Sequence, residues 1–233
     1  MESEGRYGSP KIREKMKTEQ ILLEIPSIKR IKRLMKQLGL FPVTVKRFKP
    51  QKSQSTTEDL PNLLKRDFSA TKPNEKWVAD ITYIHTLRDG WCYLASILDL
   101  YTHKIVGYSF GQKMDKSLVI SALDKAMLRQ RKPENVILHT DRGSQYLSTE
   151  YIIKTDDYKC RRSYSAKGNP YDNAVIESFH AILKKEEVYR KVYRNFSEAQ
   201  KSLFKYIEGW YNNRRIHGSI FYMTPNEFET LAV

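Results

Sequence analysis

The stretch WVADITYIHTLRDGWCYLASILDL, residues 77–100, lays out a β-hairpin. Trp77 to Ile84 is rich in β-branched and aromatic residues, Asp89-Gly90 supplies the turn, and Trp91 to Leu100 is a second apolar strand. Side chains alternate across a strand, so Val78, Asp80, Thr82 and Ile84 share one face and Trp77, Ala79, Ile81 and Tyr83 the other. Asp80 therefore stands mid-strand among residues suited to burial. A buried carboxylate is costly unless paired or bound to a metal. Asp80 is thus a metal ligand, a partner in an ion pair, or a residue on a solvated face.

Working outward, Ile105 to Phe110 makes a third strand. Leu118, Val119, Ala122, Leu123, Ala126 and Met127 recur at helical spacing, Pro133 closes that helix, and Val136-Ile137-Leu138 is a short buried strand. A helix near Thr149, a strand around Cys160 to Tyr164 and an amphipathic helix from Asp172 to about Glu187 follow. This is an α/β order. Upstream, Ser9 and Pro10 read as a helix cap and first-turn proline. Ser27 repeats the cap before Ile28, Ile31, Met35 and Leu38, which share a face, and Gly39 ends that helix. Its other face carries Lys29, Arg30, Lys32, Arg33 and Lys36, suited to phosphates and equally to plain solvation. The expected organisation is a helical segment over 1–49, a polar linker over 50–72, a catalytic core over 73–190 and a C-terminal helical extension over 191–233.

Of 233 residues, 41 are Lys or Arg and 27 Asp or Glu, a net charge of +14 that attracts polyanions, nucleic acid first among them. Cys92 and Cys160 are far apart and neither belongs to a CxxC pair, so disulfide scaffolding and cysteine zinc sites lack a sequence basis. No apolar run reaches bilayer length and the start MESEGRYGSP lacks a signal-peptide core, which makes the cytoplasm the expected compartment and a membrane partner unexpected.

Two further acids matter beside Asp80. Asp141 directly follows the strand ending at His139, in HTDRGSQY, and ligands bind outside the carboxyl ends of strands in α/β sheets. An aspartate before a glycine two residues on also serves as an ordinary turn residue. Glu177 lies within the helix beginning at Asp172 and shares a face with Lys184, two turns on; an i, i+7 surface pair is the plainer reading. Taken together, three carboxylates suit hard cations. Two Mg²⁺ ions about 4 Å apart, with Mn²⁺ as substitute, are held by oxygen ligands in phosphoryl displacement.

The strings HTDRGSQY, SYSAKGNPYDNAVIESF, YIEGWYNNRRIH and TPNEFE resemble the second-frame (OrfB) transposases of insertion-sequence family 3, relatives of retroviral integrases. Thirty-five residues separate Asp141 from Glu177, the spacing that marks the group, and the match spans Asn74 to the C-terminus. The resemblance implies a ribonuclease-H-like core: a mixed five-stranded sheet flanked by helices, with a small helix-turn-helix-like N-terminal segment. In that core the Asp80 strand lies beside the strand leading to Asp141, and the Glu177 helix packs across them. It makes Asp80, Asp141 and Glu177 catalytic metal ligands and Lys184 a contact to terminal DNA. The implied activity is cleavage at insertion-element ends and strand transfer.

Further DNA contacts are expected from Arg142 and Gln145, from Lys167, Asn169 and Asn173 in the loop feeding the Glu177 helix, from Arg214 and Arg215, and from Lys29, Arg30 and Arg33. Asp172 reads as that helix's cap. Asp99 reads as a strand-end turn residue whose change to Asn should hurt far less than that of Asp80. The implied partners are terminal inverted repeats, target DNA, further copies of the chain and an upstream-frame helix-turn-helix subunit, in a bacterial, nucleoid-associated setting. The segment before Tyr7-Gly8 is short beside family members, which suggests a truncated copy or a misassigned start. A non-catalytic DNA-binding regulator of transposition is the alternative.

Overall fold

A computed structural model describes residues 3, 5–21, 24–42, 60–166 and 170–232. The centre is a five-stranded sheet. Strands β1 (Lys76–Thr86), β2 (Gly90–Asp99) and β3 (Ile105–Gly111) form an antiparallel meander, and β4 (Ile137–Thr140) and β5 (Arg161–Tyr164) add in parallel on the far side of β1, giving the order β3-β2-β1-β4-β5. The turn at Asp89-Gly90 forms as expected, with Gly90 at φ +68°, a conformation that glycine adopts without penalty.

Strand alternation divides the core in two. Val78, Ile84, Leu94 and Leu98 face Ile176, Phe179 and Leu183 of helix α5 (Ala174–Glu186), whereas Trp77, Ala79, Ala95, Ile97 and Val106 face helices α3 (Lys116–Arg129) and α4 (Thr149–Asp157). Helix α3 presses hardest at Gly107, where a Cβ would meet the Ala122 carbonyl oxygen at 2.4 Å and the Ala126 nitrogen at 2.8 Å. Only glycine permits that approach.

Helices α1 (Ser9–Thr18) and α2 (Ile28–Gln37) pair at the N-terminus. Ser27 caps α2 as expected, accepting from the Arg30 amide, but α1 begins differently: Gly8 is its N-cap, without a side-chain bond, and Ser9 is its first residue. Of the α2 stripe only Ile31 is buried; Ile28 and Leu38 are exposed.

The N-terminal segment is laid against the far end of the chain. Tyr7 is buried in the same cluster as α5, its hydroxyl donating to the Arg214 carbonyl and accepting from the Ile216 amide. The Arg6 guanidinium stacks over Trp210 and pairs with Glu187. Residues 60–72, expected as linker, are docked as well. Leu64 is buried in the α5-side core, and Ser163 Oγ accepts from the Leu63 and Leu64 amides. The remainder of the linker, residues 50–59, and the end of the expected helical segment, 43–49, lie outside the described residues.

Helix α6 (Phe196–Phe204) continues into a π-helical stretch over Lys205–Tyr211, and helix α7 (Pro225–Leu231) closes the chain with a capping box between Thr224 and Glu227. The hub of this region is Glu186, at the end of α5. Its carboxylate accepts from Arg215 Nε and Nη2, the Tyr206 hydroxyl and the Trp210 indole, all within 3.1 Å.

Asp99 is indeed a strand-end turn residue, but a buried one, and it matters more to the fold than expected. It accepts from the Thr102 amide and hydroxyl, the Asn74 amide and the Trp77 indole. An asparagine would turn an N–H group toward donors and strand them. Asp99→Asn should therefore cost about 2–4 kcal/mol of stability by denaturant unfolding, whereas Asp80→Asn should not lower stability.

Candidate active site

Register brings the first two acids together. Ala79 pairs with Thr140 across the parallel β1–β4 ladder, so Asp80 and Asp141, each one residue further on, are neighbours at the carboxyl end of β4. Asp80 Oδ1 accepts from the Ile81 amide at 2.8 Å, and Asp141 Oδ1 from the Gly143 amide at 2.9 Å. Beneath them β4 is anchored by His139, fully buried, whose ring nitrogens lie 2.8 and 3.1 Å from Ser163 Oγ and Ser165 Oγ; burial pushes its pKa down to about 4.

The third acid comes from α5, which crosses β1. Ile176, Phe179 and Leu183 bury one stripe of this helix while Glu177 stays exposed beside it. The helix starts otherwise than expected. Asn173 is its N-cap without a side-chain bond, preceded by a 3₁₀ turn over Pro170–Asn173. Asp172 is not the cap because its carboxylate is engaged elsewhere, by Asn62, Arg66 and the Ala166 amide.

The three carboxylates act on one another. Loss of solvent raises the Asp141 pKa to about 6, and the charges of Asp80 and Glu177 add to the rise against the Gly143 hydrogen bond. Glu177, exposed as a residue but with its carboxyl partly shielded from solvent, is raised too, first by that desolvation and then by Asp80, with His180 opposing. Lys184 is lowered by burial while Asp80 holds it up, so the lysine shares the field of the acids as the i, i+7 spacing required. Among the described residues no three His, Cys, Asp or Glu side chains form a ready-made cage for an ion. The triad is an open cluster of hard oxygen donors whose mutual repulsion a divalent cation would relieve, and its chemistry fits Mg²⁺ or Mn²⁺.

Sequence reasoning missed His180. Its Nδ1 lies 3.5 Å from Asp80 Oδ2 and its Nε2 3.4 Å from Ser96 Oγ, the residue opposite Asp80 in the β1–β2 register. The signal was present, since His180 is three residues after Glu177 and so lies on nearly the same helix face.

The expected DNA contacts divide. Lys29, Arg30 and Arg33 are exposed on α2, and Arg214 is exposed. Arg142 and Gln145 are half-buried beside the acids, donating to the Ser165 and Met114 carbonyls. Asn173 is buried with its amide against the Ala79 carbonyl. Lys167 and Asn169 lie outside the described residues. Arg215 departs from expectation: it is buried and its guanidinium is held by Glu186, so this arginine packs the fold and does not face a ligand.

Two models described as integrase core domain match the chain, over residues 70–170 and 158–225. The transposase for insertion sequence element IS904 of Lactococcus lactis is 36% identical over 229 residues, covering 98% of this chain and 89% of that protein. The chain belongs to the insertion-sequence family 3 transposases. Transposase InsF of IS3A from Escherichia coli K12 is likewise 36% identical, over 97% of this transposase and 78% of its own length. Among solved structures, the HTLV-2 integrase catalytic core with magnesium superposes with a TM-score of 0.53 at 18% identity, covering 69% of the transposase and 99% of that chain. A simian T-cell lymphotropic virus intasome chain gives 0.56 at 18% identity, over 78% of the transposase and 60% of that chain. These likenesses establish the ribonuclease-H-like integrase fold. No helix among the described residues is long and apolar enough to cross a membrane.

A carboxyl whose folded pKa lies above its unfolded value holds extra protons in the fold, so the metal-free protein loses stability as pH rises from about 4 through 6. Asp141→Asn should remove that loss, raising the metal-free thermal midpoint by a few degrees at pH 7.5 (on the order of 1–2 kcal/mol) and leaving it unchanged at pH 4. Arg215→Ala should cost about 3–5 kcal/mol by abandoning a buried Glu186, and Arg214→Ala less than about 0.5 kcal/mol; calorimetry would rank the two.

Proposed function

We propose that Asp80, Asp141 and Glu177 are the catalytic acids of this transposase, holding two Mg²⁺ ions, or Mn²⁺ in their place, to cut insertion-element ends and join them to target DNA. The observation that carries this reading is the β1–β4 register, which sets Asp80 beside Asp141 under the helix that brings Glu177, so that the three charges perturb one another. When bound, the ions would activate a water or 3′-hydroxyl and stabilise the leaving oxygen of an in-line displacement.

The chain's own residues supply the rest. Asp80 is oriented by the Ile81 amide and by His180, which Ser96 steadies from the neighbouring strand. Asp141 is oriented by the Gly143 amide. Lys184, on the Glu177 face of α5, is positioned to hold a phosphate of the terminal DNA by charge. Arg142 and Gln145 border the same end of β4, Asn173 supports the backbone there, and Arg214 with Lys29, Arg30 and Arg33 offers outlying phosphate contacts; Lys167 and Asn169, outside the described residues, are proposed as further DNA contacts.

The proposed partners are terminal repeats, target DNA, further copies of the chain and an upstream-frame helix-turn-helix subunit, in the bacterial cytoplasm at the nucleoid. A net charge of +14 supports the DNA partner.

Labelled element-end DNA incubated with Mg²⁺ or Mn²⁺ tests the reading. Cleavage and joining by the wild-type chain should fall by about 10³-fold or more in Glu177→Gln, with DNA affinity little changed. Cleavage without joining would instead mark a nuclease, and binding without chemistry in both proteins a regulator. Lys184→Ala should weaken end binding and make its salt dependence shallower by about one unit of slope.

A further inference from the structure

Glu177 stands in the first turn of α5, so the backbone entering that turn decides where the acid sits. No side chain caps this entry. It is tied down at two other points: Asn173 donates to the Ala79 carbonyl, next to Asp80, and the buried carboxylate of Asp172 takes up groups from elsewhere in the chain. Asp172 Oδ1 accepts from Arg66 Nε at 2.9 Å, and Oδ2 accepts from Asn62 Nδ2 at 2.9 Å and the Ala166 amide at 2.8 Å. Two of these three donors lie 106 and 110 positions upstream, in the stretch that reads as linker.

That stretch is itself fixed to the sheet. The Pro61 carbonyl accepts from the Tyr164 amide of the edge strand β5 at 2.9 Å, and Ser163 Oγ on the same strand holds the Leu63 and Leu64 amides. The chain then turns through Lys65 and Arg66, both left-handed at φ +46° and +63°, a conformation that side chains with a Cβ rarely adopt. Strained backbone persists where its surroundings over-determine it. Here Asn62 Oδ1 accepts from the Lys65 amide at 2.9 Å, while the Arg66 guanidinium lies over the Tyr171 ring, 5.8 Å from its centroid, as its Nε reaches Asp172. A plain connector has no need of such a turn; this one sets a single side chain on the entry to the helix that carries Glu177.

Resting on the proposed role of Glu177, we propose that Arg66 is a positioning residue for that acid: acting through Asp172, it holds the first turn of α5, so that the docked linker sets the geometry of the acid cluster. The side chain of Arg66 is 54% exposed and the bond it makes comes from Nε. Glutamine carries a nitrogen donor on the same carbon, Cδ, without the charge. The hydrogen bond and the charge can therefore be separated by substitution.

Wild type, Arg66→Ala and Arg66→Gln are compared as full chains on labelled element-end duplex with Mn²⁺. At saturating DNA the cleavage rate of Arg66→Ala should fall about 10- to 100-fold, the cost of misplacing a reacting group by about 1 Å, with the DNA concentration for half-maximal rate unchanged; Arg66→Gln should restore most of the rate. In hydrogen exchange without DNA or metal, the amides of residues 177–180, whose i−4 partners lie in the entry to α5, should exchange at least about 3-fold faster in Arg66→Ala. Residues 183–186, beside the Glu186 clamp, should keep wild-type rates, and the thermal midpoint should stay within about 4 °C. Equal losses in Arg66→Ala and Arg66→Gln, carried by weaker end binding, would overturn the proposal in favour of a phosphate contact by the guanidinium. An unchanged rate in Arg66→Ala would overturn it, as would faster exchange spread evenly over the whole fold with a larger fall in thermal midpoint, the mark of a purely structural arginine. Wild type that fails to cleave counts against the transposase reading alone, because the exchange comparison still decides whether Arg66 holds the turn; unchanged exchange in a chain that cleaves fails the positioning role alone.

Discussion

Parallel pairing between β1 and β4 is the constraint on which the site depends. These strands are 50 residues apart in the chain, and only their ladder makes neighbours of Asp80 and Asp141. The ladder is short, four residue pairs, and needs support from below. The buried His139 supplies it by joining β4 to the Ser163 and Ser165 hydroxyls, and Ser163 in turn holds the amides of Leu63 and Leu64. A slip of one residue in β4 would turn His139 toward the other face and carry Asp141 away from Asp80, so the polar anchor and the acid pair are set by one register.

A second centre, Glu186, ties the helix of the third acid to the ends of the chain. Helix α5 meets Arg215, Tyr206 and Trp210 through this one carboxylate, while Arg6 and Tyr7 close over the same region. A buried ion pair adds little net stability over an apolar contact, but losing either half is costly. Its effect is positional: α5 is clamped at its C-terminal end, nine residues from Glu177. The same clamp makes the N-terminal segment part of the core packing.

The two carboxylate centres that α5 joins, one at Glu186 and one around Glu177, differ in their electrostatics. At Glu186 the carboxylate is matched by an arginine and accepts from Tyr206 and Trp210 as well. At Asp141 burial and then the charges of Asp80 and Glu177 raise the carboxyl to about 6, and no ion pair to it is seen among the described residues. One arrangement is complete without a ligand; the other is not. In a chain of net charge +14 the acid cluster is a small negative centre inside a positive field, which suits a divalent cation at the centre and a polyanion around it.

Much of this was legible in the residues themselves. Period-two alternation separated the faces of β1, turn chemistry marked Asp89-Gly90, and helical periodicity marked α3 and α5, because these signals depend on neighbours within a few positions. The three proposed catalytic acids are singled out by spacing and family motif. What stayed hidden involves residues distant in sequence: Arg215, basic and next to Arg214, read as a DNA contact until Glu186 closed over it; Asp172 read as a cap until Arg66 and Asn62 engaged it; His180 gained meaning only once Asp80 lay opposite; and residues 60–72 read as linker until Leu64 entered the core. The sequence by itself determined the elements, their order and the chemical character of the site, since local sterics and periodicity encode them. Tertiary structure alone decided which polar groups face one another, because burial and pairing depend on which surfaces meet, and no local pattern carries that information.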